Sequence, residues 1–355
     1  MKISEFKYNL PQELIAKYPP KERGTSNLLV LDKRSGEITH KKYFNIPEYI
    51  NEGDIVVLNE TKVLSSRTFF LTPKNKKVEV LFLENIGNDM WFVLVGRAKD
   101  VEISDILKNE DGGEVKIVVK ERKDNGFIID FIESSSNVLF EKYGHTPLPP
   151  YMKREDEESD KQRYNTVFSK IQGAVAAPTA SLNLTDAILK RIEEKGAKIV
   201  KIELRVGWGT FAPIREENIE DHLIHKEYID ISEESAKVIN ECRGKIWAFG
   251  TTVVRTLESV AYLENGKYQV KEYSGDTQLY IYPGYEWKII DNLVTNFHMP
   301  DSSLMLLVGS FAGIENIKKA YKEALRCRYK FLSYGDSMLI GENLVPLNLG
   351  KKKDE

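Results

Sequence analysis

Residues 291–313 read DNLVTNFHMPDSSLMLLVGSFAG, and two periodicities succeed one another within them. The run 289–297 is apolar and branched enough for a buried strand. Pro300 and Asp301 stop the ladder, because proline has no amide hydrogen to donate. Ser302 or Ser303 can then cap a helix on which Leu304, Leu307 and Val308 share one face. His298 therefore falls in the turn between a strand and a helix N-terminus, where backbone amides point outward and α/β proteins tend to bind ligands. An imidazole in that place either serves a ligand or simply hydrogen-bonds the turn.

Outward from this stretch the alternation of strand and helix repeats. C-terminal to it, a helix is expected over 315–328 and a strand over 337–340. N-terminal to it, strands are expected over 278–282, 245–249 and 198–206. Between them fall a helix over 233–243 ended by Gly244 and one capped by Thr185 and ended by Gly196. The fold class is α/β with a mixed sheet. Between 63 and 150 the character changes: 77–84 and 90–96, then 114–120 and 126–132, read as strands without a long helix. Asp124-Asn125-Gly126 between the second two is a hairpin signal, since tight hairpin turns demand positive φ. A small antiparallel β-barrel is expected there, closed off by the stiff run Pro147-Leu148-Pro149-Pro150. Nearer the N-terminus, a short helix over 10–18, strands over 28–32 and 54–59, and a hydrophilic link over 33–42 are expected. Those strands find no partner of the barrel's kind. Residues 1–62 therefore pack with 151–355 as one α/β domain, and 63–150 form an inserted domain.

A chain of 355 residues exceeds what one core usually serves, which agrees with two domains. With 41% hydrophobic and 30% charged residues it reads as an ordinary globular protein, and a net charge of -3 advertises no nucleic acid globally. Local basic clusters at 74–77, 326–330 and 351–353 can still do so. Arg326, Arg328 and Lys330, interleaved with Tyr329 and Tyr334, are the first choice for touching RNA. Cys242 and Cys327, far apart, fit reduced thiols better than a disulfide framework. Residues 1–20 lack an apolar signal core, and no apolar run is long enough to span a bilayer. A cytoplasmic protein away from membranes is expected.

Three segments carry chemistry. Gly250-Thr251-Thr252 stands between a strand and a helix, so helix amides and two hydroxyls can form a cup for a phosphate or carboxylate, with Arg255 one turn on; plain capping is the alternative. Gly207-Trp208-Gly209-Thr210 also follows a strand but lacks the third glycine of a dinucleotide fingerprint, leaving either a close approach to a flat ligand or a bulge with a core tryptophan. His222, His225 and Glu227 suit acid/base work near neutrality better than zinc, and no metal site is expected.

Together these segments resemble one family, the S-adenosylmethionine:tRNA ribosyltransferase-isomerases of queuosine synthesis. The resemblance rests on LPQELIAKYPP (10–20), PLPPYMKR (147–154), RYNTVFS (163–169), GAVAAPTA (173–180), VGWGTFAPI (206–214), HLIHKEY (222–228), GTTVVRTLES (250–259), GDTQLYIYPGY (275–285), VTNFHMPDSSLMLLVGSFAG (294–313) and YKFLSYGDSMLI (329–340). It implies an α/β domain with an inserted β-barrel. It also implies that the ribosyl part of S-adenosylmethionine moves to the 7-aminomethyl-7-deazaguanine at a tRNA wobble position, giving epoxyqueuosine with loss of adenine and methionine. S-adenosylmethionine is then a consumed substrate and no cofactor is expected; separately, a monomer is expected.

Chemically the reaction needs a base for a proton beside the sulfonium, an acid for departing adenine, and donors for the methionine carboxylate. Thr251, Thr252 and Arg255 are expected to hold that carboxylate or a tRNA phosphate. Proton transfers fall among His222, His225, Glu227 and His298, with Asp276 and Asp336 as further candidates in contact with substrate. Thr179, Gly207 and Gly209 are expected to line the substrate. The chain departs from the family's GLHF at Ser181 and Asn183, from its LHVG at Arg205, from a small residue at Trp208, and from NDTRV or NNTRV at Glu60 and Lys62. Two imidazoles able to titrate near neutrality are thereby lost. Two other readings are carried: a paralogue using S-adenosylmethionine with a small-molecule acceptor, which would not depend on tRNA, and a non-catalytic RNA-binding homologue, which would bind RNA alone.

Overall fold

The computed structural model describes residues 1–207 and 213–345. In chain order the strands are β1 Asn27–Asp32, β2 Ile38–Lys42, β3 Ile55–Asn59 and β4 Thr61–Val63, then β5 Arg67–Leu71, β6 Lys77–Gly87, β7 Met90–Val95, β8 Ile106–Asn109, β9 Lys116–Lys123 and β10 Gly126–Ile132. After helices α1 Ser136–Tyr143 and α2 Glu158–Arg163 come β11 Ile171–Ala174, α3 Asp186–Glu194, β12 Lys198–Arg205, β13 Glu227–Ile231, α4 Glu233–Asn240, β14 Ile246–Phe249 and α5 Thr251–Val260. A hairpin of β15 Ala261–Glu264 and β16 Lys267–Val270 leads to β17 Tyr273–Thr277, β18 Asn292–Asn296, α6 Ser303–Ala312, α7 Ile314–Arg326 and β19 Ser337–Gly341.

Among the described residues one nine-stranded sheet runs in the order β17-β13-β12-β3-β14-β18-β19-β1-β2. Its centre is parallel from β12 through β18, while β19 opposes β18 and β13 opposes β12. Both faces are covered, which explains strands that read as continuous apolar runs. Along β1, Leu29 and Leu31 enter the core shared with α4 to α7, whereas Leu28 and Val30 enter the core beneath α3. The first two strands therefore belong to the same sheet as the last ones.

The second body is a closed barrel in the order β10-β7-β6-β5-β8-β9, filled by Phe70, Val80, Phe82, Val93, Ile117 and Phe127 and capped by Leu139 of α1. Asp124 and Asn125 form the hairpin loop, and it is Asp124 that takes positive φ, at 49°. Gly126 serves a different need: a Cβ there would lie 2.3 Å from the Val93 carbonyl, so glycine permits close approach of β7. The α/β sheet and the barrel are both as the sequence leads one to expect.

Four local expectations change. Residues 10–18 hold only a 3-10 turn, Gln12–Leu14, because the backbone beyond it is bonded to the C-terminal region: Phe331 donates to Leu14 and Ala16 to Phe331. The link 33–42 is instead a hairpin carrying β2, with Gly36 at φ +70°. The expected strand 278–282 is irregular, since the Leu279 carbonyl accepts from Arg255, and the edge strand is the preceding β17. β18 begins only at Asn292, because the amides of Lys288, Ile289 and Ile290 donate to the buried Glu258 carboxylate instead of a ladder. No described helix is long and apolar enough to cross a membrane.

Candidate active site

The parallel strands β14 and β18 end side by side, and each hands over to a helix. Gly250, at φ +107°, makes the turn into α5, and its amide bonds the Val294 carbonyl at 2.8 Å. Phe297 and His298 follow β18, and Ser302 caps α6 by accepting from the Met305 amide. The two helix N-termini border one cavity of about 470 Å³. Tyr151, Phe297, Met299 and Leu332 give it an apolar body. Thr179, Thr251, Thr252, Asn296 and His298 give it polar groups, and Asp301 is the one carboxylate among its described lining residues, which include no lysine or arginine.

His298 is fixed from three sides. Its Nε2 meets the Thr295 hydroxyl at 2.8 Å, its amide donates to the Tyr321 hydroxyl at 2.9 Å, and its carbonyl accepts from the Tyr8 hydroxyl. Burial pushes its pKa down to about 3, so the ring is neutral across the physiological range and offers hydrogen bonds, not a charge. Beside it the Asn296 Oδ1 accepts from the Thr179 hydroxyl at 2.8 Å, while the Asn296 Nδ2 and the Thr252 Oγ1 are buried with no protein partner.

A larger, more polar cleft of about 970 Å³ lies between barrel and sheet. Trp91, Phe92 and Phe140 stand on the barrel side; Arg205, Gly207, His225, Glu227, Tyr228 and Asp276 stand opposite, and Val206 lines both cleft and cavity. Glu227, at the start of β13, is buried against the Arg255 guanidinium of α5 and accepts from the Gly207 amide at 3.2 Å. Arg255 Nε also donates to the Leu279 carbonyl at 3.0 Å; burial pulls its pKa down to about 10, which leaves it charged at neutrality. Arg205 bonds the Glu203 carboxylate and lies 4.5 Å over the Tyr228 ring, and Lys226 pairs with Asp276 at 3.8 Å.

The candidates named from sequence thus divide. Thr179, Thr251, Thr252 and His298 meet in the cavity; Gly207, His225, Glu227 and Asp276 meet in the cleft, with Arg255 beneath its floor. His222 lies outside both, bonded to Glu216 at 2.9 Å and edge-on to Tyr280. Asp336 is buried, which pushes its carboxyl up against the opposing pull of donors from the Lys330 amide and from the amide and side chain of Asn27. Arg326 forks onto Glu323, Lys330 donates to the Glu13 carbonyl at 2.8 Å, and Arg328 is exposed in the turn after α7. His40, Glu323 and Cys327 bring one potential metal-ligand atom each within 4.8 Å, on a carboxylate that Arg326 already occupies. Trp208, Gly209, Thr210 and the cluster 351–353 lie outside the described residues. Of the departures, Ser181 and Asn183 are buried, Lys62 is exposed and Glu60 pairs with Lys201 at 3.8 Å. Sequence reasoning missed Asn296 and Asp301, although both stand within three residues of His298 in the stretch quoted first.

Residues 3–340 match the family described as queuosine biosynthesis protein. A relative from Aquifex aeolicus is 43% identical over 344 residues, covering 96% of this chain and 100% of its own length. One from Chlorobaculum parvum is 44% identical over 345 residues with the same coverage, and both bear the name S-adenosylmethionine:tRNA ribosyltransferase-isomerase. The crystal structure of S-adenosylmethionine tRNA ribosyltransferase from Thermotoga maritima is similar at a TM-score of 0.54 and 32% identity, over 95% of this chain and 99% of that one. With a match along nearly its whole length and relatives this similar, the chain belongs to the queuosine biosynthesis protein family.

Proposed function

We propose that this protein is an S-adenosylmethionine:tRNA ribosyltransferase-isomerase, which moves the ribosyl part of S-adenosylmethionine onto 7-aminomethyl-7-deazaguanine at the tRNA wobble position and releases adenine and methionine. The family and the names of its members support the reaction type. The observation that carries the binding mode is the make-up of the enclosed cavity: an apolar body, two helix N-termini, a single carboxylate and no cationic side chain among its described lining residues. S-adenosylmethionine presents a flat adenine, a carboxylate, and a sulfonium and an ammonium that leave it net positive. Apolar walls suit the ring, helix amides suit the carboxylate, and Asp301 suits the sulfonium.

In this reading Thr251 and Thr252 face the methionine carboxylate and Thr179 belongs to the same wall. His298, neutral, holds the ligand by hydrogen bonds. Asp301 stabilises the sulfonium and is the carboxylate available for the proton beside it. The wobble base enters by the cleft, where Trp91, Phe92 and Tyr228 offer ring faces and Arg205, Arg215 and Lys226 offer charge to the backbone. The incoming aminomethyl group must lose a proton to attack, and His225, Glu227 and Asp276 are the acceptors on that side. Arg255 acts by holding Glu227 and is a positioning residue. Arg326, Arg328 and Lys330 are assigned to tRNA phosphate away from the cleft, and no step is assigned to His222 or Asp336. Residues 63–150 form the inserted domain, and 1–62 with 151–355 the catalytic one. One chain supplies both walls of the cleft, so a monomer suffices, and the tRNA substrate puts the reaction in the cytoplasm.

The test is incubation of the protein with S-adenosylmethionine, with and without tRNA bearing the aminomethyl base, followed by mass spectrometry of adenine, methionine and the wobble nucleoside. Adenine release that requires the tRNA and adds the ribosyl-derived mass is expected. Release without tRNA would mean another acceptor, and intact tRNA binding with no release would mean a non-catalytic protein.

A further inference from the structure

The Asn296 amide is an unspent donor. It stands at the last position of β18, 2% exposed, opposite Ser337 of β19. The Thr179 hydroxyl donates to its Oδ1 at 2.8 Å, which fixes the amide plane and leaves the Nδ2 without any protein acceptor. An amide donor shut away without a partner is destabilising, and such groups are rare once water and ligands are counted; Asn109 and Asn292 also leave an Nδ2 unpartnered, but neither lines the cavity. Asn296 lines the cavity, and so does Thr252, whose Oγ1 is likewise buried and unpartnered.

The neighbouring helix end strengthens the case. α5 is ten residues long, and its N-cap is Gly250, which has no side chain to cap the first-turn amides. The helix capped by Ser302 on the other side of the cavity has its own partner for that task. Three kinds of donor are available at this corner of the cavity: the Nδ2 of Asn296, the hydroxyl of Thr252 and the first-turn amides of α5. Such a set matches an anionic acceptor with two oxygens.

We propose that Asn296 Nδ2, Thr252 Oγ1 and the N-terminus of α5 form a carboxylate subsite, which takes the α-carboxylate of the aminoacyl part of the ligand. The inference rests on the reading of the cavity as the S-adenosylmethionine site and commits to which end of that ligand lies deepest. It also assigns to Asn296 a direct contact with substrate.

The experiment is calorimetric titration of the full chain with S-adenosylmethionine and with its decarboxylated analogue, which keeps adenine and sulfonium and lacks only the carboxylate. Wild type should bind the decarboxylated ligand roughly 10- to 100-fold more weakly, as the loss of charge-assisted hydrogen bonds implies. Asn296→Leu and Thr252→Val should each weaken S-adenosylmethionine by about tenfold or more and shift the analogue by less than about threefold. Equal loss for both ligands in either variant would overturn the subsite, because the group would then serve the adenine or the fold. So would a wild type that binds the two ligands equally, a result that needs no variant to fold. If wild type binds neither ligand, the reading of the cavity fails and the subsite with it.

Discussion

The cavity and the cleft lie side by side, share Val206, and solve opposite problems. The cavity is smaller and mostly apolar, carries one carboxylate and no lysine or arginine among its described lining, and is bordered by two helix N-termini whose amides can meet an anionic group. The cleft is about twice as large, carries charges of both signs, and joins two bodies that fold around separate cores. Fixed backbone dipoles are already oriented before a ligand arrives, so they suit a small substrate whose charges must be met at set points. The exposed side chains of Arg205, Arg215 and Lys226 suit a large polyanion approached through solvent. The candidate histidines do not form one cluster: His298 lines the enclosed half and His225 the open half.

The contrast breaks most visibly at the cleft floor. Arg255→Met should destabilise the protein by about 3–5 kcal/mol in urea unfolding, since it strands the buried Glu227 carboxylate; Arg255→Met with Glu227→Leu should recover most of that. A small effect in the single variant would mean that the pair is not the floor's support. Next comes Asp301→Asn, expected to lower turnover by roughly 100-fold while tRNA affinity holds, measured by single-turnover adenine release. Unchanged turnover would remove Asp301 from the chemistry.

The third prediction concerns pH. His298 titrates at about 3 in the fold against 6.5 when unfolded, so between these values the unfolded chain binds a proton that the folded one refuses. Its contribution to stability is full above 6.5 and is lost as the pH falls toward 3. Unfolding free energy should therefore drop by about 2 kcal/mol between pH 7 and 5, and His298→Gln should flatten that slope. The same depression means that His298 puts no inflection near neutrality into the pH profile of turnover. The smallest effect belongs to Arg205→Ala, expected to weaken tRNA by about tenfold and to reduce the salt slope by about one if the guanidinium meets a phosphate. An unchanged slope with weaker binding would point to a base contact instead.

Much of the architecture was legible because it rests on short-range signals. Leu28 to Leu31 alternate between two cores, Asp124-Asn125-Gly126 marks a hairpin, and Ser302 and Thr185 cap the helices they precede. What escaped depends on distant partners. β13 pairs with β12 and β17 across long separations, and Glu258 takes the amides that would have extended β18. The site was half legible for the same reason. Thr251, Thr252 and His298 announce themselves by standing at strand-to-helix turns, whereas the importance of Asn296 lies in being buried with a donor unspent, which no spacing reveals. His222 and Glu227, five residues apart in sequence, face different surroundings because the chain between them has no regular structure and Glu227 opens a strand.

Cavity and cleft are proposed to bind different substrates. Equilibrium binding of S-adenosylmethionine and of tRNA to Asp301→Asn and to Arg205→Ala tests it in one crossed experiment. The cavity variant should lose S-adenosylmethionine and keep tRNA, and the cleft variant should do the reverse. Equal weakening of both ligands by either variant, or the opposite crossing, would contradict it.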